Sequence, residues 1–134
     1  MKSLIKIFVF AFIAALPLTS CVDDSNENEY CYYEIETAVA EVTGPETAEV
    51  NQEIVFTVKF QSGNGCYKRS RFSETGTNTK TISVFSFYEG CVCTQQTELI
   101  SKEYKFKPTA VGTYSLKFKT GPANFITKTV DVTQ

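Results

Sequence analysis

The chain has 134 residues, with 13 basic and 15 acidic side chains and no histidine. This length allows a single domain with one hydrophobic core. The lack of histidine excludes Ser-His and Cys-His nucleophilic pairs and histidine-ligated metal sites.

The N-terminus has the pattern of a secretory signal, in which lysines precede an apolar run at 7–16 that is too short to cross a bilayer. The run is followed by Leu-Thr-Ser-Cys at 18–21, which resembles the lipobox of bacterial lipoproteins. The resemblance implies that a helical signal peptide, residues 1–20, is removed, and that Cys21 then carries a diacylglycerol and an acylated amine. Several acyl chains make such an anchor stable. A plain secretory peptide is the alternative.

Residues 21–30 are predicted to form a lipidated acidic tether, because 23–29 has a dense negative charge and no apolar residue. An acidic cluster directly after a lipidated cysteine also resembles the tag that sends certain Gram-negative lipoproteins to the outer face of the outer membrane. Val22, in place of aspartate, is similar to the pattern of lipoproteins that leave the inner membrane. The expected location is therefore the outer membrane, at the cell surface or at the periplasmic face.

Apart from Cys21, the chain has four cysteines, an even number in an exported protein, and two disulfides are expected. A bridge between Cys91 and Cys93 is close to the limit of bridging range in an extended strand. The favoured pairings therefore join Cys31 and Cys66 to these two cysteines, one each. An all-cysteine zinc site is the alternative, but Cys-x-Cys lacks the usual ligand spacing. No metal or other cofactor is expected.

Residues 31–134 have the pattern of one all-β domain. The clearest strand is 54–60, where four apolar side chains alternate with side chains that point away. A strand at 32–42 is predicted to have Ile35, Thr37, Val39 and Glu41 on one face. Further strands are predicted at 80–88, 91–96, 102–107, 113–119 and 125–132.

About seven short strands separated by turn signals predict an antiparallel β-sandwich. Gly-Thr-Tyr-Ser-Leu at 112–116, which follows a turn at Pro108, resembles the tyrosine corner of immunoglobulin-like domains. The resemblance implies an immunoglobulin-like fold in which the Tyr114 hydroxyl bonds back to the backbone. The chain has no tryptophan, and Leu116 occupies the position of the second cysteine of antibody-type domains. A bacterial immunoglobulin-like or fibronectin-like domain is therefore the nearer resemblance, with an ordinary strand start as the alternative.

Sandwich domains carry their binding residues on end loops, and the basic and aromatic stretch after Cys66 is the predicted binding loop. An alternation of this kind suits an anionic glycan or a protein surface. A solvated strand edge, protected by its charges, is the alternative. The candidate residues are Tyr67, Lys68, Arg69, Arg71 and Phe72.

The sequence contains no recognisable catalytic pattern, so the protein is not expected to be an enzyme. The predicted function is that of a lipid-anchored, non-catalytic binding module at the cell envelope. The alternatives are a structural accessory subunit of an outer-membrane complex and, more weakly, a protease-inhibitor-like sandwich. The expected partners are the membrane, through the lipid, and a glycan or protein ligand. Nucleic acid is not expected, because the basic residues are scattered without a basic helix or stacking motif.

Overall fold

The computed structural model describes residues 31–134, and the predicted signal peptide, Cys21 and the acidic tether lie outside the described residues. In the described part, no helix has the length and apolar character needed to cross a bilayer. The strands of this part are β1 (Tyr32–Thr37), β2 (Val39–Thr43), β3 (Thr47–Glu49), β4 (Ile54–Gln61), β5 (Tyr67–Thr75), β6 (Thr79–Glu89), β7 (Leu99–Phe106), β8 (Gly112–Lys119) and β9 (Phe125–Thr133).

These strands form two sheets packed face to face. The larger sheet has the order β1-β6-β8-β9-β3, with β5 on the other side of β6, and the smaller has the order β2-β4-β7. The pairs β6–β8 and β3–β9 are parallel, and the other described pairs are antiparallel. The predicted all-β sandwich is confirmed. Residues 31–134 contain nine strands instead of about seven, and two of their pairings are parallel.

The core lies between the sheets and follows the alternation of the strands. In β4, Phe56, Val58 and Phe60 are fully buried, whereas Thr57 and Lys59 are partly exposed. Burial of each of these apolar side chains contributes about 1.5–3 kcal/mol. The face predicted for 54–60 is confirmed. The larger sheet supplies the opposing side chains Ile82, Val84, Leu116, Phe118 and Val130.

The predicted strand at 32–42 is two strands in different sheets, because β1 pairs with β6 and β2 pairs with β4. A bulge between Val39 and Glu41 shifts the register of β2, so Val39 and Val42 both face the core although they are three residues apart. Ile35 and Glu41 are exposed. The predicted common face is therefore wrong, since alternation continues neither through a bulge nor across a change of sheet.

Polar side chains close the sandwich where β5 faces β7. The Tyr104 hydroxyl donates a 2.5 Å hydrogen bond to the Glu74 carboxylate, and the Lys80 ammonium lies 3.1 Å from the same carboxylate. The hydrogen bond from Tyr104 is the largest of the effects that hold the pKa of Glu74 below its ordinary value. Burial, followed by the hydrogen bond to Glu74, raises the pKa of Tyr104. Nearby, the Lys102 ammonium donates to the Ser70 carbonyl oxygen.

Tyr104→Phe is expected to lower the free energy of unfolding at neutral pH by about 1 kcal/mol, because it removes a hydrogen bond to Glu74. Since folding lowers the pKa of Glu74, this stabilisation is complete above the ordinary value of 4.5 and is lost as the pH falls through the lowered value. The difference in free energy of unfolding between the variant and the parent protein should therefore become smaller at acidic pH. Urea denaturation at neutral pH and at about pH 3 measures it.

Tyr114→Phe is the matched control for this experiment. It removes a 3.1 Å hydrogen bond from the Tyr114 hydroxyl to the Ala110 carbonyl oxygen, an acceptor that does not titrate. Its cost should be the same at both pH values. If Tyr104→Phe also lowers the free energy of unfolding by the same amount at both pH values, the role assigned to Glu74 is contradicted.

Candidate binding site at the disulfide-braced end of the larger sheet

Two disulfides lie at one end of the larger sheet. Cys31, just before β1, is bonded to Cys91, and Cys66, just before β5, is bonded to Cys93. The Cα atoms of the two pairs are 4.9 and 5.3 Å apart, within the usual range for a bridge. Because Cys91 and Cys93 follow β6, the bridges fasten β1 and β5 to the strand that lies between them. The favoured pairing, one to each, is confirmed.

The segment between β6 and β7 is not the strand predicted at 91–96. Its first residue, Gly90, has a φ of 138°, and a Cβ at this position would lie 2.8 Å from the sulfur of Cys66. The Gly90 amide donates to the Cys31 carbonyl oxygen over 2.8 Å. A turn and two bridges therefore hold this segment against the starts of β1 and β5. The prediction of a strand at 91–96 is wrong.

The predicted binding loop is part of β5, an edge strand of the larger sheet that pairs with β6. Tyr67 and Phe72 point inward and pack against the core. Lys68, Arg69 and Arg71 are exposed. The loop prediction is wrong because these charges lie on a paired strand, and edge strands commonly carry such charges.

Two arginines of β5 lie over two phenylalanine rings of β6 on the outer face of the sheet. The guanidinium carbon of Arg69 is 4.2 Å from the ring centroid of Phe87, and that of Arg71 is 4.6 Å from the centroid of Phe85. The Tyr32 ring of β1 stacks beside Phe87, with centroids 6.1 Å apart. Each cation–π contact contributes about 0.5–1 kcal/mol at an exposed site. These contacts hold the guanidinium groups in place above the rings.

The two arginines differ in their charge partners. Arg71 forms an ion pair of 2.7 Å with Glu34 of β1. Within residues 31–134, neither Arg69 nor its neighbour Lys68 has an ion-pair partner. These two cations lie on the side of the cluster nearest the disulfides, where the Glu89 carboxylate lies beside them.

Further along β1, a second carboxylate of the outer face is neutralised. The Glu36 carboxylate accepts a 2.8 Å hydrogen bond from the Lys119 ammonium of β8. This hydrogen bond is the largest of the effects that hold the pKa of Glu36 below its ordinary value, and a hydrogen bond with Ser83 acts in the same direction. This part of the sheet is therefore electrically balanced.

A surface concavity of about 360 Å³ lies beside Arg69. Its chemistry is that of an anion-binding site, because two cations and three aromatic residues line it. A carboxylate also lies in its wall and can accept hydrogen bonds from hydroxyl groups. The lining residues are Tyr32, Lys68, Arg69, Phe87, Tyr88 and Glu89.

Three aromatic residues of this cluster, Tyr32, Phe85 and Phe87, are absent from the residues predicted for the site. A signal for two of them is present in the sequence, because the strand predicted at 80–88 has apolar side chains at both odd and even positions. Such a strand has an apolar outer face that other side chains must cover. Identifying the covering residues requires the register of β5 and β1 on β6, which the sequence does not contain.

The residues of β5 that were predicted to bind a ligand lie in a different part of the domain from Tyr114, the residue of the predicted tyrosine corner. Tyr114 is near the start of β8, and its hydroxyl bonds to the Ala110 carbonyl oxygen four residues upstream. The Tyr114 ring also packs edge-on against Phe106, with centroids 5.3 Å apart. Tyr114 therefore has a packing role, and it does not line the concavity.

Residues 56–132 match the family model described as ORF11 beta-sandwich domain. Neither a search of curated proteins nor a search of solved structures gives a match.

Replacing Cys66 and Cys93 together with alanine is expected to lower the free energy of unfolding by about 3 kcal/mol, because the bridge restricts the unfolded chain. The same change at Cys31 and Cys91 should cost slightly more, since that bridge spans 60 residues instead of 27. Val92→Ala is the control, because this exposed side chain lies between the bridges and belongs to neither. Urea denaturation compares the variants. Unchanged midpoints in the double variants would contradict a bracing role.

Proposed function

We propose a function for a chain that belongs to the ORF11 beta-sandwich domain family: it is a non-catalytic binding module anchored by lipid to the outer membrane. The observation that carries the proposal is the concavity beside Lys68 and Arg69. Like charges held side by side repel one another, and an anionic ligand relieves that repulsion. The aromatic rings next to them supply apolar contact area.

The two disulfides support a binding role because they fix the strands that carry the site. β1, β5 and β6 each supply residues to the concavity, and all three are fastened at this end. A site built on fixed strands loses little conformational entropy when a ligand binds. The bracing therefore favours recognition by a preformed surface.

The same disulfides support export. Disulfides persist in oxidising compartments and are rare in the cytosol. Because the four cysteines from Cys31 to Cys93 are bonded to one another, Cys21 is needed for neither bridge. This agrees with its proposed attachment to lipid.

The tether determines how far the site can lie from the membrane. Ten residues, 21–30, separate the proposed lipid from Cys31, and such a segment spans at most about 35 Å when fully extended. Cys31 lies at the same end of the larger sheet as the concavity. The proposed ligand is therefore a component that comes within a few nanometres of the anchored membrane surface.

Cys21→Ala is expected to abolish incorporation of radioactive palmitate while leaving both disulfides intact, because the bridges use other cysteines. Ser20→Ala is the matched control, since it keeps a small residue at the cleavage site and should retain the label. Immunoprecipitation of the labelled protein, with mass spectrometry of the bridges, measures both effects.

Protease treatment of intact cells is the companion measurement, and it should remove the domain of the parent protein from the cell surface. Label retained in Cys21→Ala would overturn the lipid anchor. Full protection of the domain until the outer membrane is opened would overturn the surface location. Co-purification with a stoichiometric partner in detergent would favour an accessory subunit over an independent binding module.

A further inference from the structure

The Arg69 guanidinium lies on the outer face of β6 and lines the concavity. The group lies 4.2 Å from the centroid of the Phe87 ring, and Phe87 is only 7% exposed, so the guanidinium covers this ring. Within residues 31–134 it has no ion-pair partner. A guanidinium carries its donors around its edge in a planar fork, which matches the two oxygens of a carboxylate.

A β-bulge brings a second cation to the same place. Tyr67 pairs with Tyr88 and Arg69 pairs with Phe87, so Lys68 is an extra residue in β5. In a regular strand, the side chains of Lys68 and Arg69 would point to opposite faces of the sheet. Both line the same concavity here. The bulge therefore doubles the positive charge that a bound anion would meet.

The other walls of the concavity limit what kind of anion fits. Tyr32 is 54% exposed, and its ring offers an apolar surface to a ligand. Glu89 places a carboxylate in the wall, where it attracts hydroxyl groups and repels a second negative charge. A nucleic acid, which presents regularly spaced phosphates, needs a row of cations. The concavity instead suits a molecule with one anionic group, several hydroxyls and one apolar face.

We propose that this concavity binds a single acidic sugar unit of a polysaccharide. Lys68 and Arg69 hold the sugar's carboxylate, Tyr32 packs against the C–H face of its ring, and Glu89 accepts hydrogen bonds from its hydroxyls. The volume of about 360 Å³ lies near the lower end of small-molecule sites and therefore suits one ring. This inference rests on the proposed binding function and names its ligand class.

Calorimetric titration of the full-length protein, held in nonionic detergent micelles, tests the proposal with oligogalacturonate as the probe. The methyl ester of the same oligosaccharide is the matched neutral ligand. The acid should bind and the ester should bind at least about tenfold more weakly. Arg69→Ala should weaken binding of the acid by about tenfold or more, and Lys68→Ala by several-fold.

The control variant removes the neighbouring ion pair as a neutral unit. Arg71→Ala alone would release the Glu34 carboxylate, which could then compete for Arg69. The double variant Arg71→Ala, Glu34→Ala leaves the local net charge unchanged and should keep the affinity within about twofold. Glu34→Gln alone should strengthen binding, because it leaves Arg71 without its counter-charge. Thermal unfolding of each variant checks that a loss of binding is not a loss of fold.

The outcomes separate the ligand class from the proposed function. Equal binding of acid and ester, or no effect of Arg69→Ala in a folded variant, overturns the acidic-sugar site. Failure of both oligogalacturonate and oligosialic acid to bind overturns it as well. Arg69-dependent binding to phosphatidylglycerol vesicles, with no binding to these sugars, also overturns it. The proposed lipid-anchored module is tested separately, since palmitate labelling and protease treatment involve no sugar.

Discussion

β6 has hydrogen-bonded neighbours on both sides, with β5 along one side and β1 and β8 along the other. It is also apolar on both faces, and a two-layer sandwich covers only one of them. Ile82 and Val84 face the core, whereas Phe85 and Phe87 face outward. Since no third layer exists within the described chain, neighbouring strands must cover the outer rings with their own side chains. Arg69 does this for Phe87, so the candidate site originates in the need to cover an apolar strand.

The disulfides compensate for weak packing at the same end of the sheet. Five of the six residues of β1 are exposed, so this strand buries little apolar surface of its own. Pairing with β6, the stacking of Tyr33 on Tyr88 with centroids 4.9 Å apart, and the Cys31–Cys91 bridge hold it in place. A covalent bridge stabilises a strand without hydrophobic burial, because it acts on the unfolded chain. Tyr32 of this strand is thereby left exposed, in the wall of the candidate site.

The sequence predicts the parts of the fold that depend on local alternation, and it misses those that depend on register. The strand at 54–60 was predictable because its apolar side chains recur strictly at every second position. Bonding of Cys31 and Cys66 to Cys91 and Cys93, one each, was predictable because Cys91 and Cys93 are too close in sequence to favour a bridge to each other. Which of them bonds to which was not, because it depends on where the two segments lie in the fold. The strand β5 was not predictable from the sequence, because its outward-facing charged side chains resemble those of a solvated loop. The aromatic half of the site was missed for another reason, since its residues come from strands far apart in sequence and meet only through pairing on β6.

The surplus of charge at the site follows from the register of three strands. Glu34 and Arg69 both pair with Phe87, from opposite sides, so a carboxylate and a guanidinium lie in one cross-strand row. Glu34 nevertheless forms its ion pair with Arg71, one row away, across a diagonal that long side chains can span. The next outward side chain of β1 beyond Glu34 is Tyr32, which carries no charge. Glu34 is therefore engaged by Arg71, and Arg69 lies next to the bulge that brings in Lys68. Two cations, Lys68 and Arg69, thus share the concavity with one carboxylate, that of Glu89. The same outward charges that protect an edge strand from pairing thus form, at one end, part of the candidate site.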